Sequence, residues 1–176
     1  KFREIFRVTD WWQSKAALLM GFVYLYAAWL AISFERMIEF SLLSAVTIAG
    51  FASLGYLSND FFDREKDLLA GKRNFLLGRS PILIFSFFVI SLLLLVLPWW
   101  YLPFTLLTAL FIGAELMLFF LYSVKPFRFK ESGVAGLITD TLYAHVVPVL
   151  LALYTFSLAS AKPVLLLPVV ILALWQ

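Results

Sequence analysis

The sequence predicts an all-α integral membrane protein, a bundle of transmembrane helices, and three observations predict it. Of 176 residues, 63% are hydrophobic and only 14% charged, with a mean hydropathy of +0.95, a balance foreign to a water-soluble domain. The apolar residues gather into runs of about 20, the length that crosses a hydrocarbon layer about 30 Å thick. The cations lie between these runs and alternate in density from one connection to the next, the pattern of loops that stay on opposite sides of a bilayer.

In chain order the runs cover 15–34, 40–58, 82–98, 104–122, 134–158 and 163–176, giving six helices. The first begins at Lys15 after a polar stretch with no small-residue cleavage site, so it reads as a spanning helix and not as a removable signal peptide. The second carries Ser41, Ala45, Ala49 and Ser53 at every fourth position, a stripe of small side chains that lets another helix come close. Pro81 opens the third helix and Pro163 the sixth, positions where the missing N–H costs nothing. Pro98 and Pro103 bracket the short turn between the third and fourth helices, where Trp99, Trp100 and Tyr101 are expected to anchor one membrane interface. Trp11 and Trp12 are expected at the other. Pro148 falls inside the fifth helix and predicts a kink.

With the N-terminus in the cytoplasm, Lys1, Arg3, Arg7, Lys15, Arg64, Lys66, Lys72, Arg73, Arg79, Lys125, Arg128 and Lys130 fall inside, leaving only Arg36 and Lys162 outside. The net charge of +3 and pI near 9.2 are therefore a matter of topology, and no nucleic-acid partner is expected. The absence of cysteine excludes a disulfide framework, a thiolate nucleophile and a Cys-based metal site. The expected location is a bacterial or archaeal cell membrane, with the N-terminus and the segment after the second helix cytoplasmic.

That segment reads Asn59-Asp-Phe-Phe-Asp-Arg-Glu-Lys-Asp67, a cluster of acids where a strongly apolar run ends. At about 100° per residue, Asp60, Asp63 and Asp67 share an arc of roughly 60° on a helix, with Asn59 beside them and Glu65 turned away. Like charges on one face repel unless a cation lies between them, and an all-oxygen set of Asp and Asn suits Mg²⁺. The plainer alternative is a solvated charge cluster capping a membrane helix. Lys72, Arg73 and Arg79 follow closely, so acids and bases are interleaved as a metal-bound polyanion requires, although each cation alone is also ordinary positive-inside charge. The connection after the fourth helix, Tyr122-Ser-Val-Lys125-Pro-Phe-Arg128-Phe-Lys130, is expected on the same face. There Lys125 and Arg128 are suited to a diphosphate and Tyr122 to a hydrogen bond at its edge, or the segment is a basic stop signal with an interfacial tyrosine. Asp140 is expected to line the site. His145 reads as a packed neutral residue, and Glu115, in mid-helix, has no role that its neighbours indicate.

Asn59-Asp60-x-x-Asp63-x-x-x-Asp67 followed by Gly71-Lys72-Arg73-Asn74, with Tyr122-Ser123-x-Lys125-Pro126-x-Arg128-x-Lys130 two helices later, resembles the two signatures of the UbiA superfamily of intramembrane prenyltransferases. The resemblance extends over essentially the whole chain. It implies a nine-helix fold around a central cavity, of which these would be the N-terminal six helices; the family's second Asp-rich loop would lie beyond Gln176, so these 176 residues are expected to be a fragment that is not active alone. It implies Mg²⁺-dependent transfer of an isoprenyl group from an isoprenyl diphosphate to a hydrophobic or aromatic acceptor within the bilayer. Asn59, Asp60, Asp63 and Asp67 would hold the metal, and Lys72, Arg73, Lys125 and Arg128 the diphosphate. Two other functions compete: a transporter or cation-binding module that uses the acidic cluster without catalysis, and a phosphatidyl-group transferase acting on CDP-alcohols. Against the latter, Asp63 is followed by Arg64 and not by the Gly and Ala-Arg of that signature.

Overall fold

The structure, a computed structural model, describes residues 17–160. Helix α1 covers Ala17–Trp29 and gives way to a turn in which Ala31 takes a left-handed φ of 52°. Helix α2, Phe34–Leu69, is 36 residues long, about 54 Å at 1.5 Å per residue and far more than the bilayer requires. Its end is a Schellman motif: Gly71 sits at φ 62°, its N–H donates to the Leu68 carbonyl, and Lys72 N–H donates to the Asp67 carbonyl at 2.8 Å. Helix α3, Pro81–Val96, starts with Ser80 as N-cap and Pro81 in its first turn, then tightens into a 3₁₀ turn at Leu97–Trp100. Helix α4, Leu106–Ser123, opens on a box in which Thr105 and Thr108 bond each other's backbone N–H. A 3₁₀ turn at Phe129–Glu131 leads to α5, Gly133–Thr141, a π turn at Leu142–Val146 and α6, Val147–Ser160.

Four stretches, Phe34–Leu69, Pro81–Trp100, Leu106–Ser123 and Gly133–Leu158, are long and apolar enough to cross a membrane, so the chain is an all-α integral membrane protein. They correspond to the second through fifth expected spans. The expected span 15–34 is broken: α1 stops at Trp29, the turn at 30–33 follows, and the last expected position, Phe34, already belongs to α2. The sixth expected span, 163–176, lies outside the described residues, as do Trp11 and Trp12. The second helix outruns its expected end at residue 58 by eleven residues, which puts the acidic cluster on rigid helix and not on a loop. The irregularity expected at Pro148 appears one turn earlier, as the π turn, where the wider backbone spacing absorbs the hydrogen bond that Pro148 cannot donate.

The helices bury one another through three apolar clusters and turn the rest of their surface outward. Val23, Tyr26 and Ala27 of α1, with Leu30 of the turn that follows, pack on Val149, Leu153 and Phe156 of α6, where the Tyr26 hydroxyl lies 2.6 Å from Ser157 Oγ. Phe51, Leu95, Phe119 and Leu151 join α2, α3, α4 and α6 at the centre. Leu57, Ile84 and Phe87 join α2 to α3 and receive Leu76 from the connecting loop. Outward positions such as Leu25, Ile82 and Leu106 are apolar and exposed, which suits hydrocarbon and not water. Trp100 and Tyr101 are exposed as interface anchors should be. Trp99 is not; it turns inward between the first two clusters.

α2 and α3 come close at Gly50, one residue off the small-residue stripe, of which Ser41 and Ser53 are buried. A Cβ at Gly50 would stand 2.5 Å from Leu95 N. Gly50→Ala must push α3 away, and is expected to destabilise the bundle by about 1–3 kcal/mol, the usual range for overpacking. Unfolding in detergent micelles checks this; a variant as stable as the parent would contradict the contact.

Candidate functional site

The last turns of α2 place the acids, and the loop behind them fixes two of the three. Asn74, buried beside the helix end, donates through Nδ2 to the Asp60 carbonyl at 2.7 Å and to Asp67 Oδ2 at 2.8 Å. Its Oδ1 accepts from Leu76 N–H at 3.0 Å, and Phe75 N–H donates to Asp60 Oδ2 at 3.3 Å. The Schellman turn reverses the chain, and these four bonds then fold the loop back along the helix so that Leu76 can reach the core. The helix face expected to carry the acids is the inward one: Asp60 is buried, Asp63 and Asp67 half-buried, and Glu65 exposed.

Asp63 faces the other connection. Arg128 Nη2 and Lys130 Nζ both donate to its carboxylate, and the Lys130 ammonium also donates to Asn59 Oδ1. Side-chain exposures of 13% for Asp63, 10% for Arg128 and 12% for Lys130 mean that water screens this group poorly. Arg128 Nε also lies 2.9 Å from Glu131 Oε1, an ion-pair contact without the alignment of a hydrogen bond. Lys66, on α2, closes the ring by donating to Glu131 at 2.6 Å. That bond, with Arg128 adding to it, holds the Glu131 carboxyl below the usual range, so this outer link weakens only as the pH falls through the carboxylate region. Arg128 adopts φ 39°, ψ 51°, a left-handed conformation that costs a non-glycine residue free energy. The turn is wedged in place by Gly136, where a Cβ would lie 2.6 Å from the Phe129 carbonyl oxygen.

Beneath the charged group lies a cavity of about 280 Å³ enclosed by α2, α4, α5, the π turn and Pro148 of α6. One face of α2 supplies Ile48, Phe51, Ala52, Gly55, Tyr56 and Asn59, the i, i+3, i+4 succession of a single helical stripe. Gly55 leaves room for the Phe119 ring, which meets Phe51 and Tyr143 edge to face; Tyr122 in turn meets Tyr143 edge to face. Hydrogen bonds link Tyr143 to Asp140 and to Tyr122. Glu115, 1% exposed, completes the wall from α4.

The expected site residues are thus partly assembled. Asn59, Asp63 and Arg128 meet in one charged group, while Tyr122 and Asp140 line the cavity that Asn59 also touches. Asp60 and Asp67 are engaged with the 74–76 loop, and Lys72, Arg73 and Lys125 stand exposed. Lys130, Glu131, Lys66 and Asn74 carry contacts that single-residue reading did not assign. The signal for Lys130 was its place two residues after Arg128, and for Asn74 its position after Gly71. Among the described residues, no three His, Cys, Asp or Glu side chains are grouped so as to enclose a metal ion. What converges is smaller: Asn59 Oδ1 and Asp63 Oδ2 direct two oxygens at one ammonium. Such a pair fits Mg²⁺ in its common mode, in which one or two protein oxygens hold the ion and substrate phosphates and water complete the shell.

No protein-family model, curated protein or solved structure matches this chain.

Proposed function

We propose that the chain binds an isoprenyl diphosphate and transfers its prenyl group to a hydrophobic or aromatic acceptor inside the bilayer. The observation that carries this reading is Asn59, whose side chain belongs both to the charged group and to the wall of the apolar cavity. An amphiphile with a polyanionic head and a hydrocarbon tail matches that junction, head among Arg128, Lys130 and Asp63 and tail among the aromatic rings.

Arg128 and Lys130 neutralise Asp63 without ligand, and they are the donors that diphosphate oxygens take up. Asn59 and Asp63 would hold Mg²⁺ together with the diphosphate, and the ion would supply charge stabilisation to the leaving group. The C1–O bond breaks with its electron pair going to diphosphate, and the acceptor's nucleophilic atom bonds to C1 while its proton leaves. Tyr56, Phe119, Tyr122 and Tyr143 present rings toward positive charge developing on the allyl group. Asp140, bonded to Tyr143 at the cavity wall, is placed to receive the acceptor's proton. The apolar wall keeps water from capturing the cation.

Calorimetric titration of the protein in nanodiscs with a fifteen-carbon isoprenyl diphosphate tests this. Binding is expected with Mg²⁺ and should weaken at least about tenfold in EDTA, since charge-assisted contacts contribute about 1.5–3 kcal/mol each. Equal affinity with and without Mg²⁺, or no binding, would overturn the reading. Binding that is Mg²⁺-dependent but never yields prenylated product with any acceptor would point to the binding-module alternative.

A further inference from the structure

We infer that Ile48, Phe51 and Pro148 form the floor of the prenyl cavity and set the longest chain it accepts. This rests on the prenyl-donor reading above and gives it a substrate length. A second, much smaller void of about 20 Å³ lies deeper between α2 and α6, room for about one water molecule. Ile48, Phe51 and Pro148 line both spaces, so these three side chains are the partition between them.

The partition is firmly held. Phe51 is buried against Leu95, Phe119 and Leu151, and its ring meets Phe119 at 6.4 Å, contacts that hold it between the two spaces. Pro148 has a fixed ring two residues beyond the π turn. Most of the far void's lining is apolar, and the hydroxyls of Thr47 and Thr155 are turned onto their own helix carbonyls, Leu43 and Leu151; Ser44 and Trp99, whose indole N–H has no partner among the described residues, are its other polar side chains. Opening the floor would therefore extend a hydrocarbon channel.

Distances along α2 convert this into a length. Asn59, at the polar mouth, and Ile48, at the floor, are eleven positions apart, about 16 Å of helix. An isoprene unit advances the chain by four carbon–carbon bonds of about 1.5 Å, or roughly 5 Å in projection. Three units reach the level of Ile48, and a fourth meets the floor. Ser44, on the far void, is four positions deeper, about 6 Å and one further unit.

The test is equilibrium binding of ten-, fifteen- and twenty-carbon isoprenyl diphosphates, with Mg²⁺, to the protein in nanodiscs. The parent is expected to bind the fifteen-carbon donor and to hold the twenty-carbon donor at least about tenfold less tightly, the discrimination a closed apolar pocket achieves. Phe51→Ala should bring the twenty-carbon donor to about the affinity of the fifteen-carbon one. Because Phe51 also supports the core, Ile48→Ala, which opens the floor with a smaller cavity, and Ala52→Phe, which raises it, are measured beside it. Ala52→Phe should exclude the fifteen-carbon donor while keeping the ten-carbon one. Length ratios unchanged in these variants, or a parent that binds twenty carbons as well as fifteen, would overturn the floor and leave the donor reading standing. A parent that binds none of the three would overturn both.

Discussion

Asp63→Asn is expected to abolish Mg²⁺-dependent binding of an isoprenyl diphosphate and, separately, to destabilise the bundle. Asp63 is the one carboxylate on which Arg128 and Lys130 both converge, and all three side chains are largely withdrawn from water. Neutralising it leaves two cations facing each other without their counter-charge. Removing one partner of a buried pair costs about 3–5 kcal/mol, and asparagine, which keeps one acceptor oxygen in a site that is not fully dry, should fall near the lower end. Denaturant unfolding in micelles reads the stability, and titration with Mg²⁺ and diphosphate reads the ligand. The two effects need not travel together. Glu65→Gln, on the exposed side of the same helix turn, controls for a general loss of charge and is expected to do neither. An Asp63→Asn protein that binds as the parent does would remove Asp63 from the site.

The parts legible in the sequence are those governed by period and by solvent. Hydrophobic runs of fixed length follow from bilayer thickness, so the second through fifth spans could be read without any partner helix in view. That Asp60, Asp63 and Asp67 share one face follows from helical geometry alone. What could not be read is set by tertiary contact. Asp60 and Asp67 look equivalent to Asp63 on a helical wheel, yet Asn74 and Phe75 N–H claim them because the Schellman turn at Gly71 sends the loop back along α2. Lys130 looks like one more positive-inside cation until the 3₁₀ turn at Phe129–Glu131, seated against Gly136, swings it onto Asn59 and Asp63. The end of α1 at Trp29 was hidden because 15–34 is apolar throughout; hydropathy registers composition, not the left-handed residue at Ala31 that ends the run. Glu115 shows the same limit from the other side: a mid-helix acid has no meaning in sequence until a cavity is found beside it.

Arg128→Gln is expected to weaken diphosphate binding about a hundredfold, because it removes a guanidinium whose charge-assisted bonds contribute about 1.5–3 kcal/mol in sites of this kind. Arg128→Lys keeps the charge but loses the fork that reaches Asp63 and Glu131 together, so it should recover only part of that loss. The residue also holds a left-handed backbone at φ 39°, ψ 51°, a cost the fold bears only because the side chain is held on both carboxylates. Combining Arg128→Gln with Asp63→Asn separates the two contributions. If each side chain matters chiefly as the other's counter-charge, the double variant should be more stable than the sum of the single losses by about 1–3 kcal/mol. Additive stabilities would mean that the pair is not coupled. The single variants should nonetheless both remain defective in ligand binding, since an isolated Asp63 cannot hold phosphate oxygens and an isolated Arg128 cannot hold the metal. Removing Arg128 with no effect on affinity would detach the 124–131 connection from the site and leave the cavity without its anion-binding mouth.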